Sequence, residues 1–131
     1  MKPEELLFAE THEWANIAEV DGAKVATIGI SANAVEALTD LVYMDLPASG
    51  AAVTAGESFG EVESVKATSE MYSPVDGEIV DVNTSLPDNL EILNSDPYGE
   101  GWIIKVKLSG DDAVSKLLDF AAYQKMCDEA S

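Results

Sequence analysis

Short runs of β-branched and aromatic residues, each halted by Gly, Asn, Asp-Gly or Pro, recur along the whole of this chain. That rhythm is the strongest constraint on its fold. Thr11-His12-Glu13-Trp14 leads into a run ending near Val20, Asp21-Gly22 follows as a hairpin signal, and Lys24 to Ile30 returns. Leu41 to Leu46 stops at Pro47, and Gly50 and Gly56 punctuate another short extended pair. Phe59 to Val65 and Met71 to Val75 flank Lys66, Ala67, Thr68 and Ser69, small or polar residues that suit a tight reversal. Ser73-Pro74 and Asp76-Gly77 read as turns. Glu78 to Asn83 reads as a strand with Val80 and Val82 on one face, and Trp102 to Leu108 as the last strand. Many short strands with regular turns predict a mainly β fold, a small sandwich or barrel, with flanking short helices and a C-terminal helix.

The helical signals are fewer. Glu4 to Phe8 reads as a short helical turn. Ser31 caps a helix to about Leu38, with Val35 and Leu38 at helical spacing. Pro87-Asp88-Asn89 opens a loop or short helix through Leu93, and Asn94 to Trp102 is too rich in turn residues for regular structure. Asp111-Asp112 place negative charge where a helix dipole favours it. Helical patterning then continues to about Cys127, with a break near Asp119. At 131 residues the chain reads as a single domain, 1–131, with a helical extension from about residue 111.

A net charge of −18, with Lys as the only basic residue besides His12, repels phosphate backbones and anionic lipid. The expectation is therefore no nucleic-acid partner, no membrane partner, and a soluble monomer that meets proteins carrying basic patches. The lone Cys127 excludes an internal disulfide framework, and no His near it in sequence suggests a catalytic thiol. Met1 to Glu5 lacks the character of a signal or transit peptide. The chain reads as cytoplasmic if bacterial, or as a matured protein of the mitochondrial matrix. No metal-ligand spacing stands out.

Within this acidic chain Lys66 is isolated. Between Lys24 and Lys105 it is the only Lys or Arg, amid fourteen carboxylates. Such a cation is either an ion-pair partner or an amine kept identifiable because something is attached to it. The hairpin reading puts it at an exposed tip, where an ion pair contributes only about 0–1 kcal/mol. A tip is also where an enzyme can reach a lysine. A Schiff-base nucleophile would instead need a desolvated amine, whereas surrounding carboxylates favour the charged form. A plain acidic interaction module with an unmodified lysine is the other alternative.

Glu63-Ser64-Val65-Lys66-Ala67, followed by Ser73-Pro74-Val75-Asp76-Gly77-Glu78-Ile79, resembles the attachment hairpin of lipoyl and biotinyl carrier domains. Biotin carriers usually set Met on both sides of the lysine and acyltransferase lipoyl domains Asp before it. Val65 is similar to the H protein family of the glycine cleavage system. His12-Glu13-Trp14, Val25 to Ile30, Val42 to Pro47, and Asn94 through Lys107 resemble the same family in order, from about Phe8 to Cys127.

The resemblance implies a lipoyl-type hybrid β-sandwich or barrel and a non-catalytic carrier, with lipoic acid in amide linkage to Lys66. It implies four partners: glycine decarboxylase P protein, aminomethyltransferase T protein, dihydrolipoamide dehydrogenase L protein and a lipoyl-attaching enzyme. The group would carry the aminomethyl fragment of glycine from the first to the second, and electrons to the third. In the family the loaded arm folds into a cleft of the carrier. The matching positions are Thr11, Glu13 and Glu70, where Glu70 stands for a more usual Asp. The bland reading of the first segment makes Trp14 core, Glu13 solvated and His12 an ordinary surface residue. A close rival is an H-like protein relaying lipoyl groups to other enzymes. Ala32, Asn33, Val35 and Thr39 depart from the family's usual Asp, Tyr, Gln and Gly, which puts local capping and docking in question.

Overall fold

The computed structural model describes residues 3–38, 41–65, 67–110 and 114–130. Ten strands form two antiparallel sheets among these residues. The larger is built from β1 (Leu7–Phe8), β2 (Glu13–Val20), β3 (Ala23–Ile30), β5 (Ala52–Val53), β8 (Gly77–Val82), β9 (Ile104–Leu108) and β10 (Leu118–Asp119), in the order β10-β1-β2-β3-β9-β8-β5. The smaller is β4 (Leu41–Asp45), β6 (Ser58–Ser64) and β7 (Thr68–Tyr72), in the order β4-β6-β7. Three helices accompany them: α1 (Ala32–Leu38), α2 (Glu91–Ser95) and α3 (Phe120–Ala130).

The predicted hairpin at Asp21-Gly22 forms as read. Both residues have positive φ, 52° and 82°, and Val20 pairs with Ala23 across a two-residue loop. Ser31 caps α1, its Oγ accepting the Ala34 N–H at 3.2 Å. The unusual residues of that helix do not prevent it from forming, and Val35 is part of the core. Thr39 lies outside the described residues, as do Asp111 and Asp112.

The two sheets share one core. Ala15, Ile28 and Ile30 of the larger sheet pack with Met44, Phe59, Val62 and Met71 of the smaller, and Leu86, Leu90 and Leu93 close one end. A second, aromatic cluster lies elsewhere, made by Leu6, Phe8, Trp14 and Tyr123. Phe8 stacks on Tyr123 with centroids 4.4 Å apart and planes 9° from parallel. The start of β2 is thus covered on both sides, and Glu13, Trp14 and Ala15 are all buried in succession. This is why the alternation expected of a half-buried strand is missing there.

Three expectations are revised. Leu7 and Phe8 form strand rather than helix, because β10 and β2 flank them and supply ladder partners. The C-terminal segment begins with a 3-10 turn, Val114–Lys116, and β10, so α3 starts only at Phe120. Val80 is exposed while Val82 is half-buried, because the β8–β9 register shifts between Ile79 and Asp81 and breaks the period of two.

Trp14 lies across Gly29, its cross-strand partner. A Cβ at Gly29 would stand 2.6 Å from Trp14 Cε2, and the indole cannot retreat because its Nε1–H donates to Pro97 O at 2.9 Å. Gly29→Ala is therefore expected to destabilise the fold by about 1–3 kcal/mol. Gly110→Ala, where a Cβ meets nothing within 4 Å, should stay within about 0.5 kcal/mol of the parent. Urea denaturation of the two variants checks both figures.

Candidate functional site

The hairpin that the sequence singles out is made by β6 and β7, with Glu63 paired to Thr68. Its turn is narrower than the sequence suggested: Thr68 and Ser69 belong to the strand, paired with Glu63 and Val62. Ser64 closes the turn. Its N–H donates to Ala67 O at 2.8 Å, and its Oγ lies 3.1 Å from both Ala67 N and Ala67 O. Beyond this clasp Val65 is 70% exposed. Lys66 itself lies outside the described residues.

Beside this hairpin runs a cleft of about 150 Å³, lined by Thr11, His12, Glu13, Ile30, Ala34, Val62, Ser69, Glu70 and Met71. Five elements of the chain meet there. Thr11, His12 and Glu13 come from the β1–β2 connection and the start of β2. Ile30 ends β3, Ala34 is on α1, Val62 is on β6, and Ser69 to Met71 are on β7. Thr11, Glu13 and Glu70, far apart in sequence, thus border one space. A wider cavity of about 380 Å³ touches Thr11 too, but it contains neither Glu13 nor any residue of β6 or β7.

Glu13 is not solvated, contrary to the bland reading. It is 2% exposed and flanked in sequence by a loop of tight geometry. Burial pushes its carboxyl up to about 7, and a hydrogen bond from the Thr11 hydroxyl, then ones from the Tyr72 and Glu13 backbone N–H groups, pull the other way. The group is accordingly poised to hold or release a proton at neutral pH. Glu70 differs: it is exposed, and its Oε2 accepts the Tyr72 hydroxyl at 2.9 Å. Ser69, not singled out from sequence, lies on the same strand face as buried Met71. Period-two alternation in β7 was the signal that could have found it.

His12 was also undervalued. Its φ of 81° puts a non-glycine residue in the left-handed region, an arrangement that surroundings must hold in place. They do so through the backbone, where His12 N–H donates to Ala9 O at 3.0 Å and His12 O accepts from Ser31 N–H at 2.8 Å. The side chain is held as well: Nδ1 lies 2.6 Å from Tyr123 Oη, which lies 2.7 Å from Ser31 Oγ. Helix α3 therefore steadies the loop that presents Thr11 and Glu13. No local pattern could reveal a partner 111 residues away.

An apolar floor of Ile30, Val62 and Met71, with a carboxyl and a hydroxyl at its edge, suits an apolar chain ending in a cation. Among the described residues no cluster of three or more His, Cys, Asp or Glu could hold a metal ion.

Comparison with known proteins gives a consistent answer. Residues 6–130 match the glycine cleavage H-protein family. The chain is 62% identical over 128 residues to a glycine cleavage system H protein of Rhodopirellula baltica, covering 98% of this chain and 96% of that protein. It is 49% identical over 125 residues to the mitochondrial glycine cleavage system H protein 2 of Arabidopsis thaliana, covering 95% and 78%. A crystal structure of a glycine cleavage system H protein from Mycobacterium marinum superposes with a TM-score of 0.86 at 39% identity, over 97% of this chain and 99% of that one.

The buried carboxyl has a signature in stability. A glutamate in the unfolded chain titrates near 4.5, whereas Glu13 in the fold titrates near 7. Between these values the folded protein holds more proton than the unfolded chain. The contribution of Glu13 to stability therefore falls as pH rises from about 4.5 through about 7 and is constant above that. The Glu13 share is on the order of 3 kcal/mol. Glu13→Gln should remove it, leaving the variant more stable than the parent at pH 8 and converging with it below pH ~4.5. Paired urea titrations across that range measure the difference.

Proposed function

Because the chain belongs to the glycine cleavage H-protein family, we propose that it is the lipoyl carrier of the glycine cleavage system, with Lys66 as the acylated amine. It is not itself a catalyst. The names of its relatives favour this role over the relay of lipoyl groups to other enzymes. Residues 1–131 act as one carrier domain. It works with the other glycine cleavage components, which we take to be the P, T and L proteins, and with a lipoyl-attaching enzyme. We place it in the bacterial cytoplasm, or in the matrix of a mitochondrion, as a monomer. No helix among the described residues is long and apolar enough to cross a membrane.

The observation that most supports this reading is the cleft beside the β6–β7 turn, bordered by Thr11, Glu13 and Glu70. When bound, a lipoyl group supplies a disulfide that opens and recloses, so that one attachment carries both a one-carbon fragment and two electrons. The chain's own residues supply shelter. Ile30, Val62 and Met71 exclude water from an arm laid along them. Glu13, in its ionised form, pairs with an ammonium at the end of that arm, and Thr11 Oγ1 offers a further polar contact. The proton that Glu13 holds in the empty cleft leaves as the cation arrives, since a nearby positive charge favours the carboxylate. Glu70, turned toward Tyr72, contributes negative potential at the rim.

Lys66→Arg is expected to abolish glycine decarboxylation reconstituted with the partner enzymes. Intact-mass analysis should find one lipoyl amide on the parent and none on the variant. An unmodified parent, in the presence of abundant lipoate and ligase, would refute the assignment.

A further inference from the structure

The outer face of the small sheet has features that a sheet of its own would not favour. Asp45 pairs with Glu61, and Glu61 with Glu70, so three carboxylates stand in one rung across β4, β6 and β7. Like charges placed directly opposite one another weaken a sheet. No Lys or Arg occurs in any of these strands to relieve them. The neighbouring rung, toward the turn, is Tyr43, Glu63 and Thr68.

Apolar surface adjoins this acidity. The β4–β6 register shifts between Leu41 and Tyr43, leaving Val42 as an extra residue on the edge strand. Such a bulge re-aims side chains. Val42 and Tyr43, consecutive residues, are here both turned to water, 56% and 51% exposed. Leu41 pairs with Ser64 and Tyr43 with Glu63, which places the bulge next to the turn where Val65 is exposed. The inner face of the same strands is buried through Met44, Val62 and Met71. An aromatic anchor and two valines beside a carboxylate rung form an unpartnered sheet face with a defined charge.

We propose that this face, from Val42 and Tyr43 to Val65 with Asp45 and Glu61 at its side, is the docking surface for the enzyme that acylates Lys66. That partner presents an apolar patch rimmed by Arg or Lys. The assignment rests on the carrier reading above. Charge complementarity fixes the partner's sign, and reach fixes which partner it is. A bare lysine has only four methylenes, so its acylating enzyme must close down on the residues flanking it before an amide can form. Enzymes that meet the loaded carrier reach it along a far longer lipoyl-lysyl arm and can stand further off. Carboxylates near the target steer encounter, while the aromatic anchor sets how long the complex lasts.

The test uses the full apo chain, a purified lipoate–protein ligase, lipoate and ATP, with intact mass as the readout. Two double variants are compared with the parent, Val42→Ser with Tyr43→Ser, and Asp45→Asn with Glu61→Gln. All four positions lie outside the cleft, and circular dichroism with thermal melting verifies each fold. The expected result is a KM for the carrier raised about tenfold in each variant with kcat within about twofold. The parent's rate should also fall with added salt, and that dependence should weaken in the Asn/Gln variant. Unchanged KM in both variants, with the parent acylated at Lys66, overturns the surface alone. Normal acylation combined with failure of the preloaded variants against the decarboxylase assigns the face to another partner and also overturns it. A parent that takes no lipoyl group overturns the carrier reading and this surface together.

Discussion

One phenolic oxygen connects the parts of this protein that matter most. Tyr123 Oη stands between His12 Nδ1 and Ser31 Oγ, while its ring stacks on Phe8. Helix α3, the end of β3 and the β1–β2 connection are thereby joined at a single buried point. A left-handed His12 is unfavourable in isolation, and an aromatic stack with two hydrogen bonds to one hydroxyl offsets that strain. Thr11 and Glu13 keep their positions in the cleft because the residue between them is fixed in this way.

The same region accepts a thermodynamic disadvantage. A carboxyl buried against Ile30, Val62 and Met71 weakens the fold whenever it is ionised, and apolar packing alone would be served better by a neutral residue. Its hydrogen bond from Thr11 and the Tyr72 N–H reduce that penalty without removing it. The arrangement fits a site that acquires its counter-charge only with cargo. On the carrier role proposed above, stability surrendered in the empty state would be regained in the loaded one.

Much of this was legible in the sequence, and the reasons differ from residue to residue. Asp21-Gly22 fixes its hairpin through local backbone preference, and Ser31 fixes a helix start through its own side chain, so both could be read directly. Lys66 stood out by its charge isolation, by the reversal read around it and by the motif it sits in. Thr11, Glu13 and Glu70 came from resemblance, since nothing local says that they border one space. Leu7–Phe8 was misread because its strand character depends on β2 and β10, which lie elsewhere in the chain. The burial of Glu13 and the bond between His12 and Tyr123 are tertiary facts with no periodic trace. Ser69 could have been found, had alternation been followed past the turn.

The narrow turn at Ser64 to Ala67 also gives the hairpin something like a reading frame. Side chains along β7 alternate between the two faces of the sheet, so Ser69 and Met71 turn to the sheltered space, Thr68 turns away from it, and Glu70 stands at its rim. A point substitution leaves that alternation intact, but losing or gaining one residue between Ala67 and Ser69 would exchange the inner and outer sets. In this family, point changes there should be tolerated far more readily than indels.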